Sequence, residues 1–455
     1  DVNTSSGSVR GQTLHVLNRS IHQFLNIPYA EPPLGPLRFA PPLPLKEPRK
    51  VIIDGTKPGN YCIQNIIKFI DEGYEPTSSE DCLVLSIWTP NVDNSNDNHQ
   101  KVGLKPVMFS IYGGALSIGS IFQTVYNSSV LATNDVVVVA VNYRVGPLGF
   151  LYGGDETAPG NAGFYDQLLG LKWVRENIHL FGGDKNQITL FGASAGSWSV
   201  SAHVLSPLSK GLFKRAIMQS GSVMYNKDRP ALSTVEGLQR AKQLARHVEL
   251  MAGATKDEGL ILTLMLYPEM QTEMTEQKLR EIVIKLSNEF HNIDVDKVCD
   301  YYLKGVDKTN SSQLKAALNA LYGDLVMTCP TYLFAKRFAT NGHNVYFYHF
   351  NFQSQFYGNI FGDTGDAVCH GADLAFVYGF PLRHPKLFSE TEYDFSIDVM
   401  KIWTDFAKNG KAHDVWPQLW DKSVIRVKDL NPNDMSLILN NPYESTCDGI
   451  WSQYF

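Results

Sequence analysis

The sequence contains no long apolar run. Its longest aliphatic stretch, Val136 to Val141, is six residues, far short of the roughly 20 needed by a membrane-crossing helix. That stretch predicts a buried strand, and no transmembrane segment is expected. An excess of positive charge is also missing: 40 Lys and Arg stand against 46 Asp and Glu, a formal charge of −6, with no long basic run. The electrostatic footprint of a nucleic-acid partner is therefore absent. Charged residues make up only 19% against 44% apolar and 11% aromatic, which excludes a disordered chain and predicts a globular one. Cysteine is scarce, with six residues at 62, 82, 299, 329, 369 and 447. None has the spacing of a CxxC redox pair or a zinc cluster, so no metal site is expected. The chain opens Asp-Val-Asn-Thr-Ser-Ser without an initiator Met or an apolar signal segment, so any signal peptide is expected to have been removed or left out.

What is present is a regular alternation of strand and helix patterns. Val107 to Tyr112 and Val136 to Tyr143 read as apolar strands, followed by helical spacing from Asp166 to Asn177. Gln187 to Phe191 reads as a strand and Ser194 onward as a helix. Leu212 to Gln219 is another strand pattern, Val235 to Val248 an amphipathic helix, and Tyr346 to Phe350 a later strand. Alternation of this kind predicts an α/β fold with a large, mostly parallel central sheet flanked by helices. At 455 residues the chain exceeds the roughly 250–300 at which single cores stop growing, leaving two domains or one elaborated domain open. The Asn/Asp/Ser-rich stretch from Asn91 to Gln100 predicts an exposed loop, and there is no internal repeat.

The chemistry concentrates at Gly192-Ala193-Ser194-Ala195-Gly196. This is GxSxG between a strand and a helix, the setting of a nucleophile elbow, in which small neighbours let the backbone turn sharply beneath the serine. A serine hydroxyl needs a base to take its proton and N–H donors for the developing oxyanion. Ala195 follows the serine, and Gly113-Gly114-Ala115 after the Val107 to Tyr112 strand is a small-residue loop able to turn amides toward it. The base is expected C-terminal to position 340, where His343, His349, His370, His384 and His413 lie. His370, in Cys369-His370-Gly371-Ala372-Asp373, has the best context. The orienting acid is expected after the short strand pattern Leu250 to Thr255, and the pattern leaves Asp257 and Glu258 both open.

Two further signals concern the compartment. Cys62 and Cys82 bracket a polar loop that a disulfide would close, worth roughly 3 kcal/mol through the unfolded state. Asn-x-Ser/Thr sequons begin at Asn3, Asn18, Asn127 and Asn310. Together these point to an oxidising, glycosylating compartment and a secreted, extracellular protein.

Several stretches in order now carry a resemblance: Asn26-Ile27-Pro28-Tyr29-Ala30, Pro36-Leu37-Arg38-Phe39, Ser79-Glu80-Asp81-Cys82-Leu83, Asn142-Tyr143-Arg144, Gly160-Asn161-Ala162-Gly163 and Gln219-Ser220-Gly221-Ser222. With the GxSxG, the sequence resembles the type-B carboxylesterase and cholinesterase family of the α/β-hydrolase fold along nearly its whole length. The resemblance implies Ser194 as nucleophile, Glu258 as triad acid, His370 as base, and Gly114, Ala115 and Ala195 as oxyanion donors. It also implies disulfides Cys62–Cys82 and Cys329–Cys447, free thiols at Cys299 and Cys369, and an Arg38–Glu80 ion pair. A single domain spanning 1–455 follows, without cofactor or metal, acting on a small-molecule ester.

Departures from the family pattern refine these expectations. Ala193 stands where most relatives carry a glutamate, and the Cys62 to Cys82 segment has no tryptophan, so a cationic choline ester loses both a carboxylate and a cation–π partner. Ala115 replaces a glycine and would cost about 1 kcal/mol if its φ is positive. Ser194 to Glu258 is 258 − 194 = 64 residues, shorter than in relatives. The abrupt join at Glu249 and Leu250 implies a lost insertion or omitted residues, with omission favoured. The expected activity is two-step hydrolysis of carboxylic esters through an acyl-enzyme; the alternatives are a non-catalytic adhesion or binding member of the same fold, and a lipase or cholinesterase-like enzyme.

Overall fold

The computed structural model describes residues 1–66, 75–91, 103–224, 248–290, 293–356, 367–412, 416–421 and 423–455. The helix expected from Val235 to Val248, apart from Val248 itself, nearly all of the Asn91 to Gln100 stretch, and His413 lie outside the described residues. The chain divides into two compact units. The first comprises Asp1–Ile217, Leu374–Lys386 and Glu392–Lys411, the second Met218–Asp373, Leu387–Thr391 and Ala412–Phe455.

In the first unit a small sheet of Val2–Thr4, Gly7–Arg10 and Arg49–Asp54 accompanies a larger mixed one. The order of the larger sheet is Gly183–Ala193, Lys105–Ile111, Val137–Val141, Val84–Thr89, Arg19–Pro28, Gln12–Val16. Lys105–Ile111 pairs in parallel with both neighbours, and the pairings from Val137–Val141 outward are antiparallel. The parallel arrangement expected from the alternation therefore holds at the end that carries strand Gly183–Ala193 and gives way to antiparallel strands toward the N-terminal margin. There only Gln12–Val16 and Arg19–Pro28 are joined directly, as a hairpin, while the other antiparallel neighbours are brought together from segments farther apart in the chain. Val84–Thr89 and Val137–Val141 are buried at every position, because layers on both faces remove the usual alternation of apolar and polar residues.

Helix Ala162–Asn177 buries Leu168, Leu171, Trp173 and Val174, the spacing that marked it in the sequence. Helix Ala195–Leu205 buries eight of its eleven residues; it starts with Ala-Gly-Ser, small enough to lie against the sheet.

The second unit carries Glu249–Thr255, Val345–Phe350 and Val424–Leu430, all parallel, with Trp420–Asp421 and Ile438–Asn440 antiparallel to the last. Strand Arg215–Gln219 has residues assigned to both units. Helix Ser311–Gly323 is capped by Asn310, whose side-chain oxygen accepts from the amides of Ser312 and Gln313. One disulfide lies in each unit, Cys62–Cys82 closing a sequence separation of 20 and Cys329–Cys447 one of 118. Cys299 and Cys369 are free and buried. No described helix is long and apolar enough to cross a membrane.

Candidate active site

Ser194 occupies the turn between strand Gly183–Ala193 and helix Ala195–Leu205. Its φ of 56° and ψ of −125° put a non-glycine residue in backbone space costing of order 1–3 kcal/mol, a strain that clusters at functional sites. The flanking glycines are dictated by contact. A Cβ on Gly192 would lie 2.5 Å from the Ile111 carbonyl oxygen, and one on Gly196 2.1 Å from the same atom. No other residue permits the helix to start so close to the neighbouring strand.

The expected oxyanion loop follows strand Lys105–Ile111 in the same unit. A Cβ on Gly113 would approach the Ser194 Cβ to 3.0 Å, which fixes this loop against Ser194. Gly114 has φ 119°, Ala115 φ 54° and Leu116 φ 58°, so Ala115 does adopt the positive φ whose cost the sequence raised. The Gly113 amide donates to the buried Tyr126 hydroxyl at 3.2 Å. Tyr126 packs edge-to-face on Tyr378 at 5.5 Å, whose hydroxyl pairs with Ser110 at 2.6 Å. The Cys62 to Cys82 segment is tied to the far end of this loop by Gln64, which donates to the Gly119 carbonyl at 2.8 Å and accepts the Gly119 amide at 2.6 Å. Arg38 and Glu80 form the implied ion pair.

The second unit holds an acid–base pair. His370 Nδ1 meets Glu258 Oε2 at 2.5 Å, and both side chains are nearly inaccessible. Glu258 Oε1 accepts from the Ser220 hydroxyl at 2.5 Å and the Thr255 amide at 2.6 Å, so three donors converge on one carboxylate. Burial pulls the His370 pKa down, but the charge and hydrogen bond of Glu258 outweigh it, and the net shift is upward. His370 Nε2 is buried with no hydrogen-bond partner among the described residues.

Of the two carboxylates that the sequence pattern left open, it is Glu258 that meets the imidazole. Asp257 is turned the other way: its carboxylate accepts the Val368 amide at 2.8 Å while its own amide donates to the Val368 carbonyl at 3.0 Å. It holds the segment that delivers His370, and Glu258 holds the imidazole. Among the other histidines, His349 lies half-buried in strand Val345–Phe350, bonded to the Tyr443 hydroxyl at 3.1 Å, and desolvation pushes it down to about 4.

Two participants escaped the sequence reading. Ser220 was noted only as part of a signature stretch, yet it has φ 54° at the end of strand Arg215–Gln219 and donates to Glu258. Tyr126 carried no motif at all. Only a strand end followed by Gly221 hinted at the first, and no local signal hinted at the second. Among the described residues no group of His, Cys, Asp or Glu has the arrangement of a metal site.

The four sequons differ in setting. Asn3, Asn18 and Asn310 are exposed, whereas Asn127 is half-buried and its side-chain oxygen accepts the Ser129 amide at 3.0 Å.

Comparison with known proteins agrees with this chemistry. The carboxylesterase family model matches residues 1–249 and 227–443. A pyrethroid hydrolase, Ces2e, of Rattus norvegicus is 35% identical over 488 aligned residues, covering 92% of this chain and 84% of that protein. An acetylcholinesterase of Leptinotarsa decemlineata is 31% identical, covering 91% of this chain and 80% of that protein. Acetylcholinesterase-1 of Trittame loki is 31% identical over 544 aligned residues, covering 100% and 94%. A strained serine at a strand–helix elbow, a buried Glu–His pair and similarity along the whole chain lead to one assignment: this chain belongs to the carboxylesterase family and is a carboxylic ester hydrolase of the α/β-hydrolase fold.

Proposed function

We propose that Ser194, His370 and Glu258 form a catalytic triad that hydrolyses small, uncharged carboxylic esters in two acyl-transfer steps. The observation that carries this reading is the buried Glu258–His370 pair, whose outer nitrogen has no hydrogen-bond partner among the described residues. Such a nitrogen is what a serine hydroxyl requires as its base, and catalytic hydrogen bonds often close only once substrate binds.

Ser194 Oγ attacks the ester carbonyl carbon while His370 Nε2 takes its proton. The amides of Gly114, Ala115 and Ala195 receive the oxyanion. As the C–O bond to the alcohol breaks, His370 returns the proton to the leaving oxygen, giving the acyl-enzyme and free alcohol. Water then attacks the acyl carbon, losing a proton to His370, and the carboxylic acid departs as Ser194 is reprotonated. The 455 residues act as one catalytic domain in this scheme, since the nucleophile belongs to one compact unit and the acid–base pair to the other.

Substrate preference follows from what surrounds the serine. Ala193 offers no charge to a cationic alcohol, and the Cys62 to Cys82 segment has no tryptophan. Neutral esters are therefore favoured over choline esters, although two of the relatives carry the name acetylcholinesterase. The two disulfides suit a secreted protein, with glycans on Asn3, Asn18, Asn127 and Asn310.

The test is stoichiometric labelling of Ser194 by an organophosphate, with turnover of an aryl acetate measured in parallel. Labelling with loss of activity supports the triad, and a Ser194→Ala protein hydrolysing the ester at the parental rate refutes it.

A further inference from the structure

The stretch Asn142-Tyr143-Arg144, singled out in the sequence, follows strand Val137–Val141. The parallel neighbour of that strand, Lys105–Ile111, leads into the loop from Gly113 to Ile121. The two strands end level, with Ile111 opposite Val141, so the segment after one lies beside the loop after the other. At the entry to the loop the Tyr143 hydroxyl donates to the Tyr112 carbonyl at 2.8 Å. At its tip the Leu116 carbonyl accepts the Gly146 amide at 2.6 Å. At its exit Asn142 Oδ1 accepts the Ile121 amide at 3.0 Å and the Ser120 hydroxyl at 3.3 Å. One short segment, Asn142 to Gly146, therefore holds the loop along its length.

The tightest hold is on a single peptide unit. The Tyr112 carbonyl accepts from Tyr143, and the amide of the same unit, on Gly113, donates to the Tyr126 hydroxyl at 3.2 Å. The Tyr112 and Tyr143 rings stack at 4.3 Å, and the Tyr112 hydroxyl donates back to the Tyr143 carbonyl at 2.8 Å. All three tyrosines are buried, where hydrogen bonds are stronger than in water. Directly beyond the clamped unit come three positive φ values, 119° at Gly114, 54° at Ala115 and 58° at Leu116. Strained backbone of this kind persists only where its surroundings over-determine it. The amides of Gly114 and Ala115 donate to no acceptor among the described residues, so the loop is anchored while its two candidate donors stay open to a ligand.

Resting on the triad reading above, we propose that Tyr143 and Tyr126 are positioning residues for the oxyanion hole: by gripping the Tyr112–Gly113 peptide at both ends, they fix the direction in which the Gly114 and Ala115 amides point. An oxyanion donor lowers the barrier only if it is already aimed where charge develops, and a misplacement of about 1 Å can cost about 10²-fold. Burial pushes the Tyr112 and Tyr143 hydroxyls well above the ordinary tyrosine range. Both keep their protons wherever His370 titrates, and the grip does not change with pH there.

The test uses Tyr143→Phe and Tyr126→Phe in the full chain, each of which keeps the ring and removes one hydroxyl. With an aryl acetate, kcat should fall by about tenfold or more while KM stays within about twofold. Affinity for an aryl trifluoromethyl ketone, whose serine adduct mimics the oxyanion, should fall by about the same factor as kcat. Loss of a merely structural bond would lower the melting midpoint and leave both ratios unchanged. The acid-limb midpoint of kcat/KM should stay at the parent's value, because it reports His370 and not the tyrosines. If one variant does not fold, the other decides. Parental kcat and parental ketone affinity in the folded variants overturn the proposal. The Gly114 amide resonance, read with isotope-labelled glycine, needs no turnover and should shift in each variant. A shift in a chain that hydrolyses no ester would sink the triad reading and leave the grip on the loop standing.

Discussion

Replacing Glu258 by Gln isolates what the carboxylate does for His370. The side chain keeps its shape but has one oxygen and one NH2 where there were two acceptors. Oxygen Oε1 faces the Thr255 amide at 2.6 Å and the Ser220 hydroxyl at 2.5 Å. The backbone amide cannot turn round, so the amide oxygen must stay there and the NH2 must face His370 Nδ1. Nδ1 then accepts instead of donating, the ring proton moves to Nε2, and the nitrogen required as base is already occupied. The analogous change in a serine protease, a worked case of the wrong imidazole tautomer, lowers turnover by about 10⁴. At 1.36 kcal/mol per decade that is ~5 kcal/mol of barrier. The assay is kcat/KM for an aryl acetate at pH 8, with near-ultraviolet circular dichroism to confirm the fold. A folded Glu258→Gln protein retaining more than about a tenth of parental activity would refute the reasoning, because no other described carboxylate bonds Nδ1.

Further predictions concern the frame. Burial pushes His203 down to about 4, with its ring held between Ser209 at 2.8 Å and Gln167 at 3.0 Å. The unfolded chain therefore binds the extra proton between about pH 6.5 and 4, and stability falls as pH is lowered through that window by up to about 1.4 kcal/mol per pH unit. His203→Gln should flatten the slope of Tm against pH there, and an unchanged slope counts against the assignment. Arg144→Leu leaves Asp166, fully buried and bonded at 2.6 and 2.8 Å, without its partner. Denaturant unfolding should show a loss of about 3–5 kcal/mol, and a loss below about 1 kcal/mol would mean that the pair is not buried as described. Changing Cys329 and Cys447 together to serine opens a loop of 118 residues and should cost roughly 3–5 kcal/mol, read as a lower midpoint in urea; an unaltered midpoint would show the bridge to be dispensable.

Much of this protein was written locally. Gly192 to Gly196 announces a turn because Cβ atoms at its ends would strike the Ile111 carbonyl, and short-range geometry of that kind leaves a readable residue pattern. Strand Val137–Val141 and helix Ala162–Asn177 were legible for the same reason: burial on both faces or on one stripe sets residue spacing. His370 and the Cys62–Cys82 pair stood out by context.

What the linear pattern left open was decided by contacts between distant segments. Asp257 and Glu258 are equivalent as sequence; the parallel pairing of Glu249–Thr255 with Val345–Phe350 and the return of the chain at Val368 turn one carboxylate to an amide and the other to an imidazole. Ser220 reaches Glu258 across 38 positions and Tyr302 reaches Asp324 across 22, separations that impose no periodicity. The antiparallel margin of the first sheet likewise depends on which strands become neighbours. Local sterics act within a few residues and mark the sequence there. Hydrogen bonds closed by the fold constrain only the two residues that meet, so the turn at Ser194 could be read and the surroundings of Glu258 could not.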